Sequence, residues 1–142
     1  MSLELKVAII VGIFFVLLSS FIVYWLIPKR IKKKKCVASW RDLQNFCKDK
    51  STWSDAIKSA DNLLNNVLKK KKIKGNSTGE RLVSAQHEFS DNDGVWFAHN
   101  YYKKTIANPK MRMKEEDVKK ALVGFRQALM DIGALPNGEK RK

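Results

Sequence analysis

An unbroken apolar run over residues 7–27, VAIIVGIFFVLLSSFIVYWLI, constrains the fold of this chain more than any other feature. As a helix the run spans roughly 30 Å, which matches the hydrocarbon core of a bilayer. A cleaved signal peptide is the alternative interpretation. However, the run is longer than the roughly 7 to 15 apolar residues of a signal peptide, and no small-x-small cleavage site follows it. The sequence therefore predicts a transmembrane helix over residues 7–27.

Positive charges follow the apolar run directly. After Pro28, which stops the helix, the basic residues are Lys29, Arg30, Lys32, Lys33, Lys34 and Lys35. By the positive-inside rule, this excess predicts that the C-terminal part is cytoplasmic and that residues 1–6 lie outside. Binding of anionic lipid headgroups stays open as a second role, because each basic residue near a charged leaflet contributes about 1 kcal/mol. We predict a polybasic juxtamembrane linker over residues 28–37.

The chain as a whole is strongly basic. Its 142 residues include 28 Lys or Arg and 14 Asp or Glu, a formal net charge of +14. Electrostatics therefore favours nucleic acid, lipid headgroups or acidic proteins as partners. Cys36 and Cys47 form no CxxC pair, and no His or acidic cluster has the spacing of metal ligands, so we expect no metal and no cofactor. A free thiol is the expected state of Cys36, with acylation as the alternative.

Helical periodicity dominates residues 38–135, where apolar residues recur at spacings of three and four. Predicted helices carry their first large apolar residues at Trp40, Trp53, Leu82, Val95 and Val118, and we assign Phe46 and Ile106 to buried faces. Short loops favour antiparallel packing of neighbouring helices. The predicted fold class is all-α, with an N-terminal transmembrane helix followed by a small antiparallel helical bundle of about five helices. Residues 136–142 form a basic tail.

Capping residues predict where these helices begin and end. Segments 52–55 and 77–80 fit N-terminal capping boxes, in which a Ser or Thr side chain and an acidic residue satisfy free backbone amides. Gly75 and Gly133 fit C-terminal positions. Asn108 precedes a proline and so is expected to end a helix and start a turn.

A lysine-rich segment, KKKKIKGN, ends the second helix of the predicted bundle. Its basic residues are Lys69, Lys70, Lys71, Lys72 and Lys74. Such a patch can bind the phosphates of RNA or lipids, whereas lysines at a helix C-terminus also stabilise the helix dipole as a solvated end. No aromatic residue interleaves the lysines to stack bases, which favours the solvated helix end.

The stretch YYKKTIANPK, residues 101–110, resembles the pattern W..AH..RN.IAH of the HEPN superfamily, in particular of bacterial HEPN-like proteins with one N-terminal membrane helix. The resemblance covers most of residues 40–135 and implies a HEPN-like bundle at a bacterial cytoplasmic membrane. In active members an Arg and a His form a metal-independent ribonuclease site across a dimer. Lys103 takes the Arg position, Lys104 the Asn position and Asn108 the His position; Ile106 and Ala107 match directly, and Trp96, Ala98 and His99 match with one residue of extra spacing.

Both catalytic positions depart from that pattern. Asn108 forms hydrogen bonds but cannot transfer a proton near neutral pH as histidine does. Lys103 keeps a positive charge but lacks the bidentate fork of arginine. His99 lies four residues before Lys103 on one helix face and is therefore the alternative catalytic residue. Beside Trp96, we interpret His99 instead as a hydrogen-bonded packing residue.

The sequence therefore predicts a membrane-anchored binding or scaffold module with a catalytically inactive HEPN-like domain. Its predicted partners are a protein, a second copy of the chain or RNA, and Lys103 and Lys104 join the lysine-rich segment as candidate phosphate-binding residues. Two alternatives stay open: a membrane-tethered ribonuclease that uses His99 and Lys103, and a protein that binds anionic lipid surfaces.

Overall fold

A computed structural model describes residues 2–27 and 30–137, which contain six α-helices and no strand. The helices are α1 (Leu3–Leu26), α2 (Lys33–Asn45), α3 (Trp53–Lys70), α4 (Thr78–Ser84), α5 (Asn92–Ala107) and α6 (Glu115–Asp131), with short 3-10 turns at Phe46–Lys48, Lys50–Thr52 and Gln86–Glu88. The predicted all-α class, with one apolar N-terminal helix and five further helices, is confirmed. The predictions for Pro28, for Lys29 and for residues 138–142 of the basic tail lie outside the described residues.

Helix α1 is long and apolar enough to cross a membrane, and none of its 24 residues is buried against the rest of the chain. It begins at Leu3, four residues before the predicted start, because the Ser2 side chain accepts a hydrogen bond from the Leu5 amide at 3.3 Å and caps the first turn. Within the apolar stretch, the Ser19 hydroxyl donates to the Phe15 carbonyl at 2.6 Å. That bond removes the cost of an unpaired hydroxyl in an apolar medium.

The bundle begins earlier than its predicted start at residue 38. Helix α2 starts at Lys33, inside the predicted linker, and Cys36 is buried in the core together with Trp40 and Leu43. These three residues stand at spacings of four and three, so the apolar face of α2 includes Cys36. Phe46 was assigned to that face but lies in the following 3-10 turn and is 39% exposed.

Helix α3 begins at Trp53, as predicted, but its N-terminal capping differs from the prediction. The Thr52 hydroxyl donates to the carbonyls of Phe46, at 2.6 Å, and Asp49, at 3.0 Å, and caps no α3 amide. The predicted capping box at 52–55 is therefore wrong. Thr52 instead closes the turn that reverses the chain between α2 and α3.

The end of α3 also differs from the prediction. The helix ends at Lys70, and the residue in the left-handed conformation is Lys72, with φ 60°, rather than Gly75. The Ile73 amide donates to the Leu68 carbonyl at 3.1 Å, and Ile73 packs against the core. Burial of Ile73 thus fixes the helix end at Lys70, five residues before Gly75, as in a Schellman motif.

Helix α4 follows its predicted start, whereas α5 begins at Asn92, three residues before Val95, the first apolar residue predicted for it. The Ser77 side chain accepts from the Glu80 amide at 3.2 Å, which confirms this cap, and Asp91 caps α5 through the Gly94 amide at 2.9 Å. The buried face of α5 is rotated from the predicted one, since Tyr101 is buried whereas Ile106 is 49% exposed. Buried residues of α5 are Val95, Ala98, His99, Tyr101 and Thr105.

Two contacts establish how helices α3, α5 and α6 run relative to one another. The Lys71 amine donates to the Ile132 carbonyl at 3.3 Å, so α3 and α6 end side by side. The Ser90 amide donates to Asp131 at 2.8 Å, so α5 begins where α6 ends. Helix α2 follows α1 in the chain, and Lys72, just beyond the end of α3, contacts Trp25 of α1. Helices α2 and α5 therefore run away from α1, whereas α3 and α6 run back toward it. We call the end that holds the start of α2 the anchor-side end, and the opposite one the distal end.

The core forms where α3, α5 and α6 meet. Its largest fully buried side chains are Ile57, Leu64, Leu68, Leu82, Phe125 and Leu129. Helices α5 and α6 cross closely at Gly124, where a Cβ atom would overlap the Gly94 carbonyl and lie 3.2 Å from the Ala98 Cβ. The missing side chain of Gly124 is what permits this crossing.

Candidate functional site

His99, the alternative catalytic residue, lies inside the bundle. It is 6% exposed, and its Nδ1 is 2.8 Å from Oδ1 of Asp61 on α3, which is 2% exposed. The contact joins two helices that are 38 residues apart in sequence. Breaking a buried pair of this kind leaves a polar or charged group without a partner, which destabilises a fold. The prediction that His99 is a hydrogen-bonded packing residue is thus confirmed.

Aromatic rings enclose the imidazole of His99. Trp96 meets it edge-on at 6.1 Å between ring centroids, and Tyr102 stacks on it at 6.0 Å. Burial raises the pKa of the Tyr102 hydroxyl, and the negative charge of Asp61 raises it further. Gly79 at the start of α4 lies against the remaining edge, since a Cβ atom there would be 3.7 Å from His99 Nε2.

The other two catalytic candidates lie on the outside of α5. Lys103 and Asn108 are exposed, and within residues 30–137 no hydrogen bond or ion pair joins either side chain to His99. Asn108 caps the helix, with its amide donating to the Lys104 carbonyl at 3.0 Å and its carbonyl accepting from Met111 at 3.0 Å. The three candidates are therefore not assembled into one hydrogen-bonded site.

Asp61 is the residue that sequence reasoning missed. It stands on the apolar face of α3, between Ala60 and Leu64, where a carboxylate needs a buried partner. A charged residue within an apolar stripe is a signal that a sequence contains. His99 is the matching polar residue, because it lies on the buried apolar face of α5 just as Asp61 lies on that of α3.

The two lysine clusters meet at the anchor-side end, although more than 30 residues separate them in sequence. Lys72 Nζ lies 5.4 Å from the centre of the Trp25 ring near the end of α1, within cation-π range. Lys70 from the end of α3 and Lys35 from the start of α2 both act on the Cys36 thiol. The exposed members are Arg30, Lys32, Lys33, Lys34, Lys35, Lys69, Lys72 and Lys74.

Local contacts occupy most carboxylates at the same end. Glu88 is 3.4 Å from Lys71, the lysine of the cluster that also binds the Ile132 carbonyl. Asp131 accepts from the amide and the hydroxyl of Ser90 at 2.8 Å. Glu80 accepts from the Asn76 amide at 2.6 Å. Lys71 therefore serves the fold, whereas the exposed lysines of this end make no hydrogen bond or ion pair within the described residues.

Cys36 lies beneath this basic surface. Burial raises the pKa of its thiol, and the positive charges of Lys70 and Lys35 oppose that shift. Burial also raises the pKa of the Cys47 thiol. Both cysteines are free, and no group of three His, Cys, Asp or Glu in residues 2–27 and 30–137 could hold a metal ion. A buried, protonated thiol is a poor nucleophile, which favours an unmodified Cys36 over an acylated one.

Comparisons of the chain with protein-family models, with curated proteins and with solved structures give no match. The HEPN-like resemblance therefore stays a prediction from the residues of YYKKTIANPK.

Proposed function

We propose that this chain is a single-pass protein of a bacterial cytoplasmic membrane that presents a helical binding module to the cytoplasm. The apolar and fully exposed helix α1 supports an anchor that crosses the membrane. The basic residues that follow it support an external N-terminus and a cytoplasmic bundle, by the positive-inside rule.

One observation carries the proposal: the chain folds two separate lysine clusters onto the end of the bundle nearest the anchor. Each basic residue at an anionic leaflet contributes about 1 kcal/mol of attraction. The anchor-side end therefore rests on lipid headgroups. This contact holds the bundle upright and leaves its sides and distal end available for a partner in the cytoplasm.

The geometry around His99 favours binding over ribonuclease chemistry. A general acid or base must reach the proton that it transfers. His99 is enclosed by Trp96, Tyr102 and Gly79, and its Nδ1 is occupied by Asp61. Lys103 and Asn108 face solvent instead. This separation supports a catalytically inactive domain.

Amide hydrogen exchange of the full chain in nanodiscs tests the membrane contact. We expect the amides of residues 71–77 to exchange more slowly in nanodiscs with anionic lipid than in zwitterionic ones. The difference should disappear at high salt, since salt screens exposed charges. Equal exchange in the two lipids at low salt would contradict the proposed orientation.

A matched pair of variants locates the charges responsible. The first replaces Lys69, Lys70, Lys72 and Lys74 by Gln and spares Lys71, which the fold uses; the control makes the same change at Lys103, Lys104, Lys110 and Lys114 near the distal end. The first variant should lose the lipid-dependent protection, and the control should keep it. Loss in both would show only a general effect of net charge.

Single-stranded RNA tests the competing functions. We expect the full chain in nanodiscs to leave RNA intact without added metal, and we expect His99→Ala and Lys103→Ala to change nothing in that assay. Cleavage by the parent chain that depends on either residue would replace the proposal with a membrane-tethered ribonuclease. Salt-sensitive RNA binding that the distal lysine variant abolishes would make RNA the partner.

A further inference from the structure

A groove runs along one side of the bundle, between α2 and the stretch formed by α6 and the following residues Leu135 and Pro136. Both helices pack on α3, and open space lined by residues of both lies between them. Three neighbouring cavities of about 360, 210 and 430 Å³ share lining residues and extend from Lys33 to Cys47. Along a helix this distance is roughly 20 Å.

Apolar side chains form the floor of the groove. The 430 Å³ cavity is lined by Trp40 and Leu43 of α2 and by Leu122 and Val123 of α6. Val123 is 66% exposed, the highest value among the large apolar side chains of the described bundle. An exposed apolar strip of this kind marks an interaction surface when polar residues rim it.

Positive charges form the rim, and no acidic residue lines any of the three cavities. Lys33 and Lys34 stand at the anchor-side end, Arg41 and Arg126 near the middle, and Lys119 toward the distal end. Lys119 already pairs with Glu115 at 2.9 Å. Arg41 and Arg126 form no ion pair within residues 30–137, and each guanidinium can take a carboxylate in bidentate form.

We infer that the groove binds an acidic amphipathic helix of a partner protein. Its length accommodates a helix of roughly 14 residues, with apolar side chains at helical spacing on the floor and carboxylates at the rim. A second copy of this chain fits less well, because a net charge of +14 on each copy opposes association. The inference rests on the proposed binding function; the groove shares Lys33 and Lys34 with the proposed lipid contact but uses none of the exposed lysines at the end of α3.

Synthetic peptides of roughly 14 residues test the chemistry of the occupant against the full chain in zwitterionic nanodiscs. The probe is a fluorescein-labelled helix with leucines at i, i+3, i+4 and i+7 and glutamates elsewhere, followed by fluorescence anisotropy. We expect it to bind, whereas a scrambled peptide of the same composition and a lysine version should bind much more weakly. Equal binding of the scrambled peptide would mean charge attraction alone and would overturn the inference.

Val123→Glu tests the place of binding, with Val83→Glu as its control. Val83 is a comparably exposed valine, 54%, on α4 and away from the groove. Val123→Glu should weaken peptide binding roughly tenfold or more, because it removes a floor contact and adds a repelling charge. Val83→Glu should leave the affinity unchanged. Equal effects of the two variants would overturn the inference. A dimer of the parent chain that Val123→Glu dissociates and Val83→Glu does not would also overturn it, because the groove would then bind a second copy of the chain.

This test is independent of the lipid contact. The peptide assay uses zwitterionic lipid and substitutions on α6 and α4, whereas the exchange experiment compares lipids and substitutes lysines at the end of α3. Loss of peptide binding with retained lipid protection would overturn the groove inference alone. The opposite result would overturn the membrane orientation alone.

Discussion

The interior pair of Asp61 and His99 and the exposed lysines of the anchor-side end use polar side chains in opposite ways. Asp61 and His99 are 2% and 6% exposed and contact each other at 2.8 Å. Lys69, Lys72 and Lys74 are exposed, and their amines donate no hydrogen bond within the described residues. The buried pair contributes to folding, whereas the exposed charges remain free to act on something outside the chain.

Solvent explains why these roles differ. A polar group that leaves water must recover the lost hydration from protein partners, so its removal or mismatch is costly. An exposed lysine keeps its hydration, and pairs at the surface contribute about 0 to 1 kcal/mol. Burial, rather than residue type, thus separates the fold-stabilising histidine from the lysines that can recognise an anionic surface.

Asp61→Ala should have the largest effect on folding. It leaves His99 buried without its partner, and removing one member of a buried pair costs about 3 to 5 kcal/mol. Urea unfolding of the full chain in mild detergent, followed by circular dichroism, measures the change. Asn62→Ala, at the exposed neighbouring position of α3, should change the free energy of unfolding by less than about 0.5 kcal/mol.

A double-mutant cycle separates the pair from the general effect of truncation. Asp61→Ala, His99→Ala and the double variant should give a coupling free energy of about 0.5 to 3 kcal/mol, as contacting residues do. Additive effects would show that the two residues contribute independently. In that case the contact between Asp61 and His99 would not itself stabilise the fold, and the contrast with the exposed lysines would not hold.

The helical fold and the buried role of His99 were predictable from short-range patterns. Apolar spacing of three and four gave α3 and α6, and Trp96 beside His99 indicated a packing position. The partner of His99 was not predicted, because the match between Asp61 and His99 spans 38 residues. A search for charged residues within apolar stripes would have found Asp61 but not its distance to the imidazole.

Tertiary contacts determine the features that the sequence left open. The convergence of the two lysine clusters depends on α3 returning toward α1, which requires the antiparallel packing and the turn closed by Thr52. The end of α3 depends on burial of Ile73, which outweighs the local preference for Gly75 in the left-handed position. The groove between α2 and α6 exists because both helices pack on a third one.

Two glycine substitutions distinguish the tight helix crossing from the space beside His99. Gly124→Ala should lower the free energy of unfolding by about 1 to 3 kcal/mol, because its Cβ would overlap the Gly94 carbonyl and force α5 and α6 apart. Gly79→Ala places its Cβ 3.7 Å from His99 Nε2, an ordinary contact, and should stabilise α4 by up to about 1 kcal/mol through helix propensity. Urea unfolding should show opposite signs, and a stabilising Gly124→Ala would contradict the close crossing.

Lys72→Gly should have a small stabilising effect on folding, and the same variant tests the proposed lipid contact. Lys72 holds φ 60°, a conformation that costs a side-chain residue about 1 to 2 kcal/mol and glycine much less. Glycine also makes the unfolded chain more flexible, which cancels part of this stabilisation. The free energy of unfolding should therefore rise by up to about 1 kcal/mol. The same variant removes a charge next to Trp25, so protection of residues 71–77 from amide exchange in anionic nanodiscs should fall.

Lys74→Gly is the matched control. It removes an exposed lysine without a positive φ, so it should weaken the protection by lipid without stabilising the bundle. Equal stability changes in the two variants would show that the strain at Lys72 does not limit folding.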